Sequence, residues 1–125
     1  MSAVQQVNTV KVFSQEDFDR FAGLSGDNNP IHTDPIFCAG TRFGRTVAHG
    51  LLICSVLRGL IEQLVPGARL DEQSVMFPAP TFANEPMQFT VHTAGDTGNG
   101  IELTLEVKRM NDGVVTCQGQ ARVSV

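Results

Sequence analysis

Hydrophobic positions follow one rule in the first half of this chain and another in the second, and the change falls near Pro66-Gly67. In the first half they recur at helical spacing. Phe18, Phe21 and Ala22 stand at i, i+3 and i+4, behind Ser14 with Asp17 three residues on, which is the pattern of a capping box. Phe13, ahead of the cap, fits a hydrophobic staple onto Phe18, and Val10 to Phe13 reads as the end of a first strand. Gly23 and Gly26 are expected to terminate this helix and leave Asp27 in a loop. Thr33 or Asp34 before Pro35 starts a second helix of a turn or two, because proline at the first helical position forfeits no hydrogen bond the helix would use. From Gly50 the run Leu51, Leu52, Ile53, Val56, Leu57, Leu60, Ile61, Leu64 is apolar around most of the helix circumference. It predicts a helix of roughly 22 Å enclosed by other structure and ended by Pro66-Gly67.

Beyond that point the period changes to two. Met87, Phe89 and Val91 alternate with polar neighbours, as do Ile101, Leu103, Leu105 and Val107, and then Val115, Cys117, Gly119, Ala121, Val123 and Val125. Gly95 to Gly100 and Asn111-Asp112-Gly113 supply turn residues between them, so an antiparallel meander is expected. The stretch Val75 to Phe82 reads as a further strand bent by Pro78 and Pro80. Both halves are satisfied by an α+β architecture, a curved antiparallel sheet wrapped around one central apolar helix.

Composition narrows the function classes. At 125 residues, with 42% apolar and 18% charged side chains, the chain is expected to form one globular domain over residues 1–125. Nine basic against thirteen acidic residues give a net charge of −4, which provides no general basic surface for nucleic acid or an anionic membrane. No apolar run approaches a membrane span, and Met1-Ser2-Ala3 leads into a polar segment rather than a secretory signal, so the cytoplasm is the expected location. Cys38, Cys54 and Cys117 are an odd number without CxxC spacing and read as reduced core cysteines.

Candidate chemistry gathers in Ser25-Gly26-Asp27-Asn28-Asn29-Pro30-Ile31-His32 and in His49-Gly50. A carboxylate and an imidazole five residues apart across Asn-Pro can converge on a water. They serve equally well as a turn cap and a backbone-bonded histidine. Gly50 would stand at the start of a buried helix, where free N–H groups stabilise an oxyanion, or would merely ease a tight turn. His49 fits a packed histidine satisfied by a neighbouring loop. The glycines of Gly40 to Thr46 miss the phosphate-loop spacing and its lysine. A calcium loop at Asp27 fails at Ile31, and the histidines lack HExxH spacing, so neither metal nor cofactor is assigned. His92 reads as a surface residue.

Phe21-Ala22-Gly23-Leu24-Ser25-Gly26-Asp27-Asn28-Asn29-Pro30-Ile31-His32 resembles the hydratase 2 motif of the MaoC-like, (R)-specific enoyl-CoA hydratases, and the likeness continues through Ala39, Thr41, Phe43-Gly44 and Ala48-His49-Gly50-Leu51-Leu52. The resemblance implies a hot-dog fold and hydration of a trans-2-enoyl thioester to a (3R)-hydroxyacyl thioester. It implies that Asp27 and His32 bind the water, that the Gly50 N–H polarises the thioester carbonyl, and that Asn29 and His49 support the loop. It also implies a homodimer with sheets joined edge to edge, acting on acyl-CoA or acyl-carrier-protein thioesters. Cys38 stands where the motif usually has alanine or serine, and Ser55 lies about a turn before the position, near Arg58, at which some relatives offer a serine that supports the catalytic loop. Alternatives are a (3R)-hydroxyacyl-acyl-carrier-protein dehydratase, a hot-dog thioesterase, and a catalytically silent acyl-thioester binding module.

Overall fold

The computed structural model describes residues 5–125, and Met1-Ser2-Ala3, which entered the reading of the N-terminus, lie outside them. Strand β1 (Gln6–Val12) leads into helix α1 (Gln15–Ser25), the short helices α2 (Pro30–Thr33) and α3 (Pro35–Ala39), and the long helix α4 (Gly50–Leu64). Strands β2 (Arg69–Met76), β3 (Pro86–Thr97), β4 (Gly100–Arg109) and β5 (Val115–Ser124) follow. They form a single antiparallel sheet in the order β1-β3-β4-β5-β2, so the meander β3-β4-β5 is flanked by the two strands that bracket the helices.

Alternation sets which face of the sheet is buried. Met87, Phe89 and Val91 of β3, Leu103, Leu105 and Val107 of β4, and Cys117, Ala121 and Val123 of β5 point inward onto Ile53, Leu57, Leu60 and Ile61 of α4. Each large apolar side chain buried there contributes about 1.5–3 kcal/mol. Phe13 joins the core by tilting onto Phe18 at 6.3 Å between ring centres and meeting Phe89 edge-on at 6.1 Å. The staple and the capping box at Ser14 and Asp17 are both present.

Four expectations are corrected. Gly23 does not end α1, which runs on to Ser25 and closes at Gly26, whose φ of 82° is the left-handed cap that glycine adopts without a side-chain clash. Residues Pro30–Thr33 form a helical turn rather than a loop, because the Asn29 side chain caps it by accepting from the Ile31 N–H and Pro30 occupies its first position. The strand expected over Val75 to Phe82 is instead β2, which begins at Arg69 and stops at Met76, before the prolines, while Phe82 makes an isolated bridge to Val47. Helix α4 is enclosed on one flank only. The sheet covers Ile53, Leu57 and Ile61, whereas Leu51, Ser55, Gly59 and Glu62 are exposed.

All three cysteines are free; Cys38 and Cys117 are buried and Cys54 is half-buried. Burial, and secondarily the nearby Cys54, push the Cys117 thiol up to about 12, so it packs as a neutral apolar group. Among the described residues no helix is long and apolar enough to cross a membrane.

Candidate active site

The site forms where the end of α1, the turn α2 and the start of α4 meet. Asp27 sits in the bend after the Gly26 cap. Its N–H donates to Ser25 Oγ at 3.1 Å and its Oδ1 accepts from the Asn29 N–H at 3.4 Å, so the carboxylate is held by the backbone of its own turn. Asn29 caps α2, which carries His32 on its one turn. Behind α2 the Cys38 thiol donates to the Ile31 carbonyl at 3.2 Å, a backing role that its small size allows.

His32 Nδ1 lies 2.7 Å from the carbonyl oxygen of Val47. A carbonyl only accepts, so Nδ1 carries the proton and Nε2 of the neutral ring is left as an acceptor. That Nε2 lies 3.7 Å from Asp27 Oδ2. The separation is too long for a direct hydrogen bond and suits a bridging water. Two acceptors therefore face one small gap, His32 with a side chain 15% exposed and Asp27 with one 55% exposed. Both of the plain structural roles are also filled, since Asp27 does brace a turn and His32 does bond a backbone carbonyl.

His49 is buried, as a packed histidine should be, but its neighbours are those of the site. Its Nε2 donates to the Asp27 carbonyl at 3.1 Å, its ring stacks on His32 with centres 3.8 Å apart and planes 24° from parallel, and Phe21 meets it edge-on at 4.9 Å. Burial first, and then the neighbouring His32, lower the His49 pKa against the opposing pull of the Asp27 carbonyl. Nδ1 is buried with no hydrogen-bond partner among the described residues, so a proton there would have nowhere to donate. His49 is thus a neutral ring that clamps the Asp27 backbone and fixes the plane of His32.

Ligand atoms of Asp27, His32 and His49 all lie within 4.8 Å of one another, which raises the question of a metal. Stacked imidazoles point their lone pairs side by side rather than at a common centre, and His49 Nε2 is engaged by a carbonyl. The arrangement suits a shared proton better than an ion.

Gly50 begins α4, where the first N–H groups have no intrahelical acceptor and the dipole is positive. A Cβ at this position would lie 3.0 Å from the Phe77 ring, so close packing against an aromatic ring accounts for the glycine. A cavity of about 310 Å³ opens beside it, walled by Phe43, Val47, Ile53, Phe77 and Pro78. A larger hollow of about 820 Å³ on the outer face of the sheet holds His92 and neighbouring amides but none of Asp27, His32, His49 or Gly50.

Three supporting groups escaped the sequence reading. Gln15 donates to the His32 carbonyl at 2.9 Å and accepts from the buried Thr46 hydroxyl at 2.6 Å, tying α1 to α2 and to the segment before α4. The Val47 carbonyl sets the His32 tautomer, and Phe77 covers Gly50. A backbone carbonyl leaves no mark in sequence, and a glutamine in the first turn of a helix looks like any solvated residue. Ser55, by contrast, bonds back to the Leu52 carbonyl at 2.6 Å on the exposed side of α4 and plays no part in orienting Asp27. The Asn29 N–H and the His49 clamp do that.

The model of the MaoC like domain matches residues 2–120. An (R)-specific enoyl-CoA hydratase of Aeromonas caviae is 39% identical over 83 residues, which are 65% of this chain and 62% of that protein. Another, of Rhodospirillum rubrum, is 30% identical over 123 residues, 97% of this chain and 85% of that one. A mitochondrial 3-hydroxyacyl-[acyl-carrier-protein] dehydratase of Arabidopsis thaliana is 35% identical over 75 residues, 60% of this chain and 45% of that protein. Among solved structures, the (R)-hydratase from A. caviae involved in PHA biosynthesis superposes with a TM-score of 0.92 at 30% identity, covering 100% of this chain and 97% of that one. The sheet wrapped on α4 is the hot-dog fold.

Proposed function

The chain belongs to the MaoC-like domain family, and from that premise we propose that it is a hydro-lyase adding water to a trans-2-enoyl-CoA to give the (3R)-hydroxyacyl thioester. The observation that carries this reading is the 3.7 Å gap between Asp27 Oδ2 and His32 Nε2, with the His32 tautomer set by Val47 so that both atoms accept. A water held there donates one proton to each and turns an oxygen lone pair outward toward C3 of a bound enoyl group. As the C3–O bond forms, Asp27 takes one water proton and the C2=C3 electron pair moves onto the thioester oxygen. The Gly50 N–H and the α4 dipole stabilise that enolate. Its collapse takes a proton onto C2 from the Asp27/His32 relay, so a single water supplies both the hydroxyl and the hydrogen. The reverse sequence is dehydration. Asn29 and His49 hold the two acceptors in place.

Carrier-protein thioesters are the second substrate class, supported by the likeness to the Arabidopsis dehydratase. A homodimer completes the proposal. Strands β1 and β2 leave open sheet edges, with Val10 and Val12 exposed on one and Met76 and Phe77 at the end of the other, and Leu51 is 71% exposed on α4. Crotonyl-CoA tests the activity. Loss of the conjugated thioester absorbance with a (3R) product is expected, whereas release of free thiol would identify a thioesterase. Unchanged absorbance with both CoA and carrier-protein thioesters would remove the catalytic reading.

A further inference from the structure

The His32 ring accepts from a water only while its Nε2 is bare, and the bond that leaves it bare runs from Nδ1 to the Val47 carbonyl at 2.7 Å. That carbonyl is aimed from behind. In a trans peptide N–H and C=O point in opposite directions, and the Ala48 N–H donates to the Thr81 carbonyl at 2.8 Å, which turns the Val47 carbonyl toward α2. Helix α2 is one turn long, so the His32 carbonyl lies too near its end to find a partner within it. Gln15 supplies that partner. Its Nε2 donates to the His32 carbonyl at 2.9 Å, and its Oε1 accepts at 2.6 Å from the hydroxyl of Thr46, the residue before Val47. A circuit therefore leaves the His32 carbonyl through Gln15 and Thr46, follows the chain to Val47 and returns to the His32 ring. We propose, resting on the hydratase reading, that Gln15 and Thr46 are positioning residues of the reaction: they hold the His32 end of α2 against the Val47 carbonyl and so fix both the tautomer of His32 and the reach of its Nε2 toward Asp27.

The Gln15 amide is oriented for this task. It is half-buried at the first position of α1, and its second N–H donates to Asp19 Oδ1, one turn on, at 3.1 Å. A carbonyl and a carboxylate only accept, so these two bonds fix which end of the amide is nitrogen, and Thr46 is the donor to its oxygen. Thr46 is 4% exposed, which shields the bond from competing water. A separate backbone bond, from the Val47 N–H to the Ile31 carbonyl at 3.0 Å, keeps α2 on the segment without help from Gln15. Removing Gln15 is therefore expected to loosen the His32 ring rather than to undock the turn. Both side chains act through His32, so their loss belongs in kcat and not in KM.

Four substitutions separate the bonds. Gln15→Leu removes both at similar size, Gln15→Glu keeps an acceptor for Thr46 but no donor for the His32 carbonyl, Thr46→Val removes the hydroxyl at similar volume, and Thr46→Ser retains it. With crotonyl-CoA the first three are each expected to lower kcat about tenfold with KM within about twofold, and Thr46→Ser to stay within about twofold of native. The double variant Gln15→Leu/Thr46→Val should be no slower than Gln15→Leu alone, because the two side chains act along one path. Long-range proton–nitrogen NMR spectra of the imidazoles supply a readout independent of turnover. His32 is expected as the Nδ1–H tautomer in the native protein and as a mixture of tautomers in Gln15→Leu and Thr46→Val. A native protein that hydrates no thioester would end the hydratase reading, while the spectra would still decide whether Gln15 and Thr46 set the His32 tautomer. The proposal is overturned if both variants keep the native tautomer, whatever their thermal stability. In an active native protein it is also overturned if a mixed tautomer leaves kcat per folded molecule unchanged, or if the losses multiply in the double variant.

Discussion

The sheet and the turn that holds Asp27 and His32 are built by opposite means. In β3, β4 and β5 the inward residues are interchangeable in kind: Met87, Phe89, Leu103, Leu105 and Val107 are all fully buried, and each is secured by nondirectional contact with several others. At the site almost every group is held by one directed bond, as His32 is by Val47, Asp27 by Asn29 and by the His49 clamp, and Asn29 by its cap on α2. In the proposed reading the sheet carries stability and the turn carries chemistry, and a substitution should disturb one with little effect on the other.

The largest stability effect is expected in the sheet. Phe89→Ala removes a fully buried ring that meets Phe13 edge-on and should cost about 3–5 kcal/mol by denaturant titration, with turnover per folded molecule within about twofold of native. An equal loss of specific activity would show that the two regions are coupled. Gly50→Ala lies at the border. The added methyl meets the Phe77 ring, which is half-exposed and can swing away, so stability should change by less than about 1 kcal/mol while turnover falls by about tenfold. A loss of stability larger than the loss of activity would assign Gly50 to packing alone.

The smallest effect concerns protons. His49 is held neutral in the fold with its pKa lowered from 6.5, so the unfolded chain binds a proton there that the folded chain refuses. Stability from this group is complete above pH 6.5 and is lost as pH falls below it. Thermal melts between pH 7.5 and 5 should show a decline that is shallower in His49→Gln. Identical slopes would mean that His49 protonates freely in the folded protein.

How far the sequence reveals this design follows from the same division. Alternation in β3, β4 and β5 and the apolar period of α4 are repeated many times over, so the architecture, the Ser14 cap and the extent of α4 from Gly50 to Leu64 are legible. The strand β2 is not, because none of its residues is fully buried, the polar run Asp71, Glu72, Gln73 and Ser74 separates the half-buried Leu70 from Val75, and the Pro78 and Pro80 that follow belong to the turn beyond it. At the site, Asp27, His32 and Gly50 are visible as a motif. What selects the His32 tautomer is a backbone oxygen, and what positions Phe77 and Gln15 is tertiary contact, neither of which spacing can express. The exposed flank of α4 shows the converse limit. An apolar circumference implies a cover without saying whether the same chain or a second copy supplies it.

The central claim is that Asp27 and His32 share the reacting water. Its most direct test is the initial rate of crotonyl-CoA hydration by native protein, Asp27→Asn and His32→Ala, with circular dichroism and gel filtration confirming that all three remain folded and in the same oligomeric state. Each substitution is expected to lower kcat by about 10²–10⁴-fold. Hydration at near-native rate by a folded Asp27→Asn or His32→Ala protein would contradict it.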